Sequence, residues 1–306
     1  MHRTMTITVP ADRTHELSRR LAEMDAVVSL TLSRGASLKP PGDVFTAHVL
    51  NRGADAVLKQ VEELCPHFSA TTSELSAILD PQAHDEVLAD VDEALWEEIA
   101  AGLRHQIRVT SNFVALMALG GLLSTIGMVS GGTPQVLAFV AASIVAPGFE
   151  PFAKVALGLV VRQPKALTMS LWSAAVGYAV FIALAGLSFW GLRLLGVVEV
   201  TDFTGNPELA RLANPTAVEV LFSACGALAG AVVMAAYRER VIAGALVALV
   251  LMPAAATVGM ALSLARWELA WEGLERLGLD ALLVVGLCAL VFGLKQRFVH
   301  RRRPLL

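Results

Sequence analysis

The sequence predicts two parts of different fold class: an α+β domain of βαββαβ order, followed by an all-α membrane domain of six transmembrane helices. Two observations carry that prediction. Only 17% of the 306 residues are charged and 55% are hydrophobic, whereas a soluble globular chain is about a quarter charged. The deficit is also uneven. Residues 1 to about 108 mix short apolar runs with many charges, and from Asn112 onward come apolar blocks of the roughly 20 residues that a bilayer crossing needs. The expected division is a cytoplasmic domain over 1–80, an amphipathic connecting helix over 81–108, and a membrane domain with a short basic tail over 109–306.

In the first part, Thr4 to Val9 alternates apolar and polar residues as a strand does. Ala11 to Met24 carries Leu17 and Leu21 at helical spacing. Ala26 to Leu32 and Asp43 to Leu50 read as strands joined by the turn-rich stretch RGASLKPPGD. Asp55 to Leu64 repeats the helical pattern through Val57, Leu58, Val61 and Leu64, and Thr71 to Leu79 reads as a last strand. The order is that of the split, ferredoxin-like βαββαβ arrangement. Asp80-Pro81 then opens a helix from Asp85 to about His105, with Val87, Leu88, Val91, Leu95, Ile99 and Leu103 along one stripe. His15, His48, His67 and His84 are scattered and no glycine-rich phosphate loop is present, so no catalytic set forms here. The start, Met-His-Arg-Thr-Met-Thr-Ile, lacks the apolar core of a signal peptide, which predicts a cytoplasmic location for this domain. Cys65, Cys225 and Cys288 have no paired spacing, so neither a disulfide framework nor a metal or cofactor site is expected.

Six spans are expected, at 112–130, 134–161, 167–197, 217–236, 241–265 and 279–298. Short loops rich in Lys and Arg mark the cytoplasmic side. Arg104 and Arg108 precede the first span, Arg162 and Lys165 follow the second, and Arg238 and Arg240 follow the fourth. Lys295, Arg297, Arg301, Arg302 and Arg303 fill the tail. The intervening loops are uncharged or acidic on balance, which predicts a multi-pass protein of the inner (cytoplasmic) membrane with both termini inside. Asn214-Pro215-Thr216 opens the fourth span, with Asn or Thr as the cap, Pro early in the helix, and Glu219 in the first turn. Tyr178, Trp190, Trp267 and Trp271 read as interface anchors or lipid-facing bulk.

Sliding the chain by 106 positions lays the first two spans on the fourth and fifth without a gap. Gly120 falls on Gly226, Met128 on Met234 and Pro147 on Pro253, and both first helices carry a close-packing pair, Gly120/Ser124 and Gly226/Gly230. Three spans per copy make the second copy inverted, the 3+3 plan of many secondary transporters. The second span would be about 42 Å long if helical throughout, against a hydrocarbon core of roughly 30 Å. Its centre holds Pro147, Gly148 and Pro151, which remove a donor and free the backbone. A break over 146–151 is expected, and a matching one at Pro253, where Thr257 would offer a neutral ligand. Glu150 and Lys154 are four apart on one helical face, acid first. A charge at mid-membrane costs about 2.5–3.5 kcal/mol, so neither faces lipid. Two roles stay open: an internal ion pair that pins the broken helix, or a carboxylate that exchanges a proton or holds a cation with Lys154 as counter-charge.

The segments GLLSTIGMVSGG, AASIVAPGFEPFAKVALGLV, NPT and IAGALVALVLMPAAATVGMAL, behind a small βαββαβ domain, resemble the hydrophobic membrane proteins grouped as domain of unknown function 389. The family's first break is matched by Ala146, Pro147 and Pro151. Its second, valine-proline-proline, is kept only in part by Met252-Pro253-Ala254. An acid at 150 and a base at 154 depart from the apolar or small residues of the common pattern, which makes the pair a subgroup property. The resemblance implies architecture and no particular activity.

The residues therefore lead to a transporter or channel-like permease for a small solute or ion, sitting in the lipid bilayer as a homo-oligomer. A small effector would act on the cytoplasmic domain, with no nucleic-acid partner. The alternative is a membrane-anchored ligand sensor or scaffold that transports nothing. An enzyme is not expected, for want of a nucleophile–base set or metal spacing.

Overall fold

The computed structural model describes residues 2–91, 93–236 and 240–300, with 240–249 described by backbone alone. The chain divides into two compact units, Met1–Leu95 and Trp96–Leu306.

In the first unit, β1 (His2–Val9) leads through a short turn of 3-10 helix to α1 (Thr14–Ala22), then β2 (Val27–Leu38), β3 (Pro41–Val49), α2 (Asn51–Leu64), β4 (Ser69–Leu75) and α3 (His84–Leu88). The four strands form one antiparallel sheet in the order β2-β3-β1-β4. Strand alternation puts Met5, Ile7 and Val9 on the same buried face as Phe45, Ala47 and Val49. Leu17 and Leu21 of α1 and Val57, Leu58 and Val61 of α2 complete that core. The other face carries hydroxyls, since Thr31, Thr46, Thr6 and Thr71 stand opposite one another in a row across all four strands.

The stretch read as turn-rich is mostly strand. β2 runs on to Leu38 and β3 starts at Pro41, with the ladder slipping register between Ser33 and Ser37. Asp43 holds this end together. It accepts hydrogen bonds from Thr14 Oγ1 and from Gly35 N, each at 2.7 Å. The Thr14 hydroxyl first, and then the Gly35 N–H, hold the Asp43 carboxyl below its ordinary pKa.

The single helix expected from Asp85 to about His105 is corrected. α3 ends at Leu88, and the next helix, α4 (Trp96–Gln106), begins the second unit. Asp90 supplies the reason. Its carboxylate accepts from Asn51 N at 2.7 Å and Arg52 N at 3.2 Å, capping α2, whose own N-cap Leu50 has no side chain to do so. His2 Nδ1 lies 3.0 Å from the same carboxylate and Arg52 pairs with Glu86. Leu95 then joins the core of the first unit.

The second unit continues with α5 (Ser111–Val129), α6 (Gly132–Val145), α7 (Glu150–Val160), α8 (Pro164–Leu194), α9 (Val200–Thr204), α10 (Pro207–Ala213), α11 (Ala217–Ala235), α12 (Arg240–Ser263) and α13 (Trp267–Lys295). Helices α5, α8, α11 and α13 are long and apolar enough to cross a membrane, and α6 with α7 makes a fifth candidate bent by 48°. Among the described residues the apolar part of α12, Val250–Ser263, is shorter. Among the described residues the count is thus four or five where the sequence predicts six. Arg238 and Arg301 to Arg303, used to orient the spans, lie outside the described residues.

Helix α5 packs on α6 and α8, and α11 packs on α12 and α13. Across the middle, α12 packs on α6 and α8 while α13 packs on α7. Glycines set the closest crossing: a Cβ at Gly259 of α12 would lie 2.9 Å from the backbone nitrogen of Gly186 of α8. Thr216 caps α11 in a reciprocal box with Glu219, which settles the role of that carboxylate, and Pro215 stands just outside the helix. The acidic loop expected after the third span contains α9 and α10. Asn206 caps α10 and donates to the last carbonyls of α5, Met128 at 2.8 Å and Ser130 at 3.2 Å.

Two further expectations are corrected here. Helix α12 runs unbroken through Pro253. Proline costs a helix one donor, but no glycine flanks this one, and Ala254, Ala255 and Ala256 are the strongest helix formers. Thr257 Oγ1 donates back to the Pro253 carbonyl at 2.9 Å, a bond that does not replace the donor the proline lacks; packing against neighbouring helices makes such prolines tolerable in membrane helices. Helix α13 starts at Trp267, about three turns before the expected 279, because its early charges Arg276 and Asp280 are buried as a pair at 2.8 Å.

Candidate functional site

The break between α6 and α7 is built by its two prolines acting at opposite ends. Pro147 pushes the residue before it out of helical geometry, and Ala146 is extended at φ −88°, ψ 126°. Pro151 sits in the first turn of α7, where a missing N–H costs nothing. Gly148 lies between them, with its N–H donated to the Ala146 carbonyl at 2.8 Å. A Cβ there would strike the Met252 methyl of α12 and lie 3.1 Å from Tyr178 Oη. Tyr178 of α8 donates to the Gly148 carbonyl at 3.1 Å and packs against Phe152 and Phe181. This tyrosine, read from sequence as a membrane-interface residue, is buried and holds the break.

Glu150 opens α7 and is only 9% exposed. Its Oε2 has no hydrogen-bond partner among the described residues. It lines a cavity of about 510 Å³ together with Pro147, Ser143, Arg108, His105, Thr110 and Asn112. The carboxylate thus faces hydroxyl, amide and basic groups of α4, α5 and the segment between them.

Lys154, 3% exposed, does not pair with Glu150; its Nζ also lacks a partner among the described residues. It lines a separate cavity of about 250 Å³ with Arg104, Gln163 and Lys165. The shared helical face brings the two side chains near each other, but they reach into different spaces. Neither Pro253 nor Thr257 lines the Glu150 cavity. Thr257 instead sits against Gly273 of α13, 3.2 Å from its Cβ position. Of the packing pairs, Gly120 meets Ala146 at the end of α6 and Phe181 of α8; Ser124 and Gly230 are buried, and Gly226 is half-buried.

A second buried polar cluster went unread in the sequence. Arg276 donates from Nε to Asp280 at 2.8 Å and from Nη2 to Ser223 Oγ of α11 at 3.0 Å. The i, i+4 spacing of Arg276 and Asp280 was the signal available for it.

Residues 143–286 match the model of the family described as domain of unknown function (DUF389). The resemblance holds over that segment. It contains the break, Glu150, Lys154, Tyr178 and the Arg276–Asp280 pair, and with the apolar helices it fits a membrane protein. No curated protein and no solved structure matches the chain.

Proposed function

We propose that this protein is a permease for a small solute or ion, with the Glu150 cavity as part of its path and no enzymatic activity. One observation carries the reading. A helix pair long and apolar enough to cross a membrane is interrupted at residues 146–149, and the buried carboxylate beside the interruption lines a polar cavity without forming an ion pair among the described residues. Irregular backbone at membrane depth is tolerated where it lines protein or water, and an ionisable group there marks a pathway by default.

The 3+3 repeat is part of the proposal. A shift of 106 carries Ser111–Val129 onto Ala217–Ala235, so the first helices of the halves coincide end to end. The contacts support the same symmetry: α8 on α12 in one direction is answered by α13 on α7 in the other. Helix α12, at 24 residues and thus about 36 Å, is long enough to be the sixth crossing, so the halves differ in that only the first is broken. The positive-inside pattern supports cytoplasmic termini in an inner membrane. The order β2-β3-β1-β4 supports a ferredoxin-like cytoplasmic domain as the seat of a small effector, and self-association of the bundle is part of the same reading.

The test is Glu150→Cys in a Cys225→Ser background, which removes the exposed thiol. In membranes a small polar thiol reagent should label position 150, and candidate solutes should change the rate. Complete protection under every condition would make the membrane part an anchor and the protein a sensor or scaffold.

A further inference from the structure

We propose that the cavity around Lys154 binds a phosphate-class oxyanion, independently of whether the Glu150 cavity conducts. The lysine is 3% exposed, and its buried Nζ has no partner among the described residues. A buried cation is stable only when something of opposite charge meets it. Here the protein offers the reverse: Arg104 and Lys165 line the same space, and among the described residues no carboxylate does.

Backbone geometry adds donors. Arg162 takes a left-handed conformation, φ 57°, which turns the chain tightly from α7 into α8. Gln163 N closes that turn on the Gly158 carbonyl at 2.9 Å. The first turn of α8 therefore starts at the cavity, with Lys165 and Ala166 in its lining. Pro164 at the first position has no N–H, so the donors of this turn are the Lys165 and Ala166 N–H groups, which have no partner within a helix and receive no side-chain bond from the N-cap Gln163. A 31-residue helix presents the positive end of its dipole there. The space, about 250 Å³, far exceeds the roughly 10–15 Å³ needed to admit one water, so a tetrahedral oxyanion fits beside the ammonium group.

Two sources share this chemistry: the headgroup of an anionic phospholipid, to which basic residues at a membrane surface are drawn, and a free phosphate-bearing solute. The experiment uses the full chain in a non-ionic detergent at low salt, with melting followed by tryptophan fluorescence. Inorganic phosphate, short-chain phosphatidylglycerol and short-chain phosphatidylcholine are added in separate arms. Ligand at about tenfold its Kd should raise the Tm by roughly 2 °C. A rise with phosphate identifies a free anion, and a rise with phosphatidylglycerol alone identifies a lipid headgroup; phosphatidylcholine should give no rise. Lys154→Met and Lys165→Gln should each abolish the response. The Lys165 side chain is exposed, so that variant decides the matter if Lys154→Met fails to fold. No rise with either anion, or an undiminished rise in Lys165→Gln, overturns the site.

Discussion

Replacing Tyr178 by Phe deletes one oxygen and leaves the ring in place between Phe152 and Phe181, at centroid distances of 5.4 and 6.3 Å. The oxygen is the donor to the Gly148 carbonyl at 3.1 Å, inside the only non-helical stretch of the bent span. Hydrogen bonds between membrane helices contribute about 0.6 kcal/mol on average and up to about 1.7, and a buried carbonyl that loses its donor adds a penalty of about 1 kcal/mol or more. The expected loss is therefore about 1–2 kcal/mol, or a Tm lower by roughly 2–3 °C. Melting of the purified full chain measures this. A second readout separates hydrogen bonding from packing: Tyr178→Phe added to the Glu150→Cys, Cys225→Ser protein should raise its labelling rate severalfold, because the break is less firmly held. Unchanged melting and an unchanged rate would refute the assignment of this hydroxyl as the clamp.

Asp90→Ala removes the distant cap of α2 and should cost about 1–2 kcal/mol, seen as a lower-melting transition in differential scanning calorimetry, whereas Asp90→Asn should recover part of the loss. Arg276→Met alone leaves the Asp280 carboxylate buried without its partner and should cost about 3–5 kcal/mol; joining it to Asp280→Leu should restore most of the stability, since apolar replacement of a whole buried pair is often neutral. Equal losses in the single and double variants would contradict the pairing. The Asp43 carboxyl is held below its unfolded value by Thr14 and Gly35. Its contribution is present above the unfolded pKa of about 3.9 and is lost as pH falls through the lower folded value. Asp43→Asn should flatten the acid limb of a Tm-against-pH series below about pH 4, and an unaltered limb would count against the bond pair.

Much of the fold was legible because local chemistry and tertiary packing agree. Met5, Ile7 and Val9 alternate as a strand needs, and Pro147, Gly148 and Pro151 cluster where a helix cannot continue. The misses have two causes: a partner far away in sequence, and local neighbours that reverse what a single residue suggests. Pro253 resembles Pro147 on its own, yet its alanine neighbours favour helix and the helix runs on through it. Asp90 looks like any polar residue on a helix until α2 claims it as a cap from 39 residues away. Arg276 and Asp280 read as a loop because charge argues against burial, and pairing reverses that argument. Within the site, Glu150 and Lys154 were recognisable as buried charges from their position in an apolar run. That they serve different cavities depends on where α4 and α8 supply Arg104 and Lys165 and the segment after α4 supplies Arg108, which spacing along α7 does not encode.

The central claim is that the bent span holds Glu150 in a polar, water-accessible space at membrane depth. A nitroxide attached at position 150 through Glu150→Cys, in the Cys225→Ser protein reconstituted into lipid bilayers, tests it by relaxation enhancement. The account predicts strong relaxation by a water-soluble nickel chelate and weak relaxation by oxygen, at a site flanked on α6 and α7 by positions with the opposite preference. Relaxation by oxygen alone, or by neither reagent, would place the carboxylate in lipid or in sealed protein and contradict it.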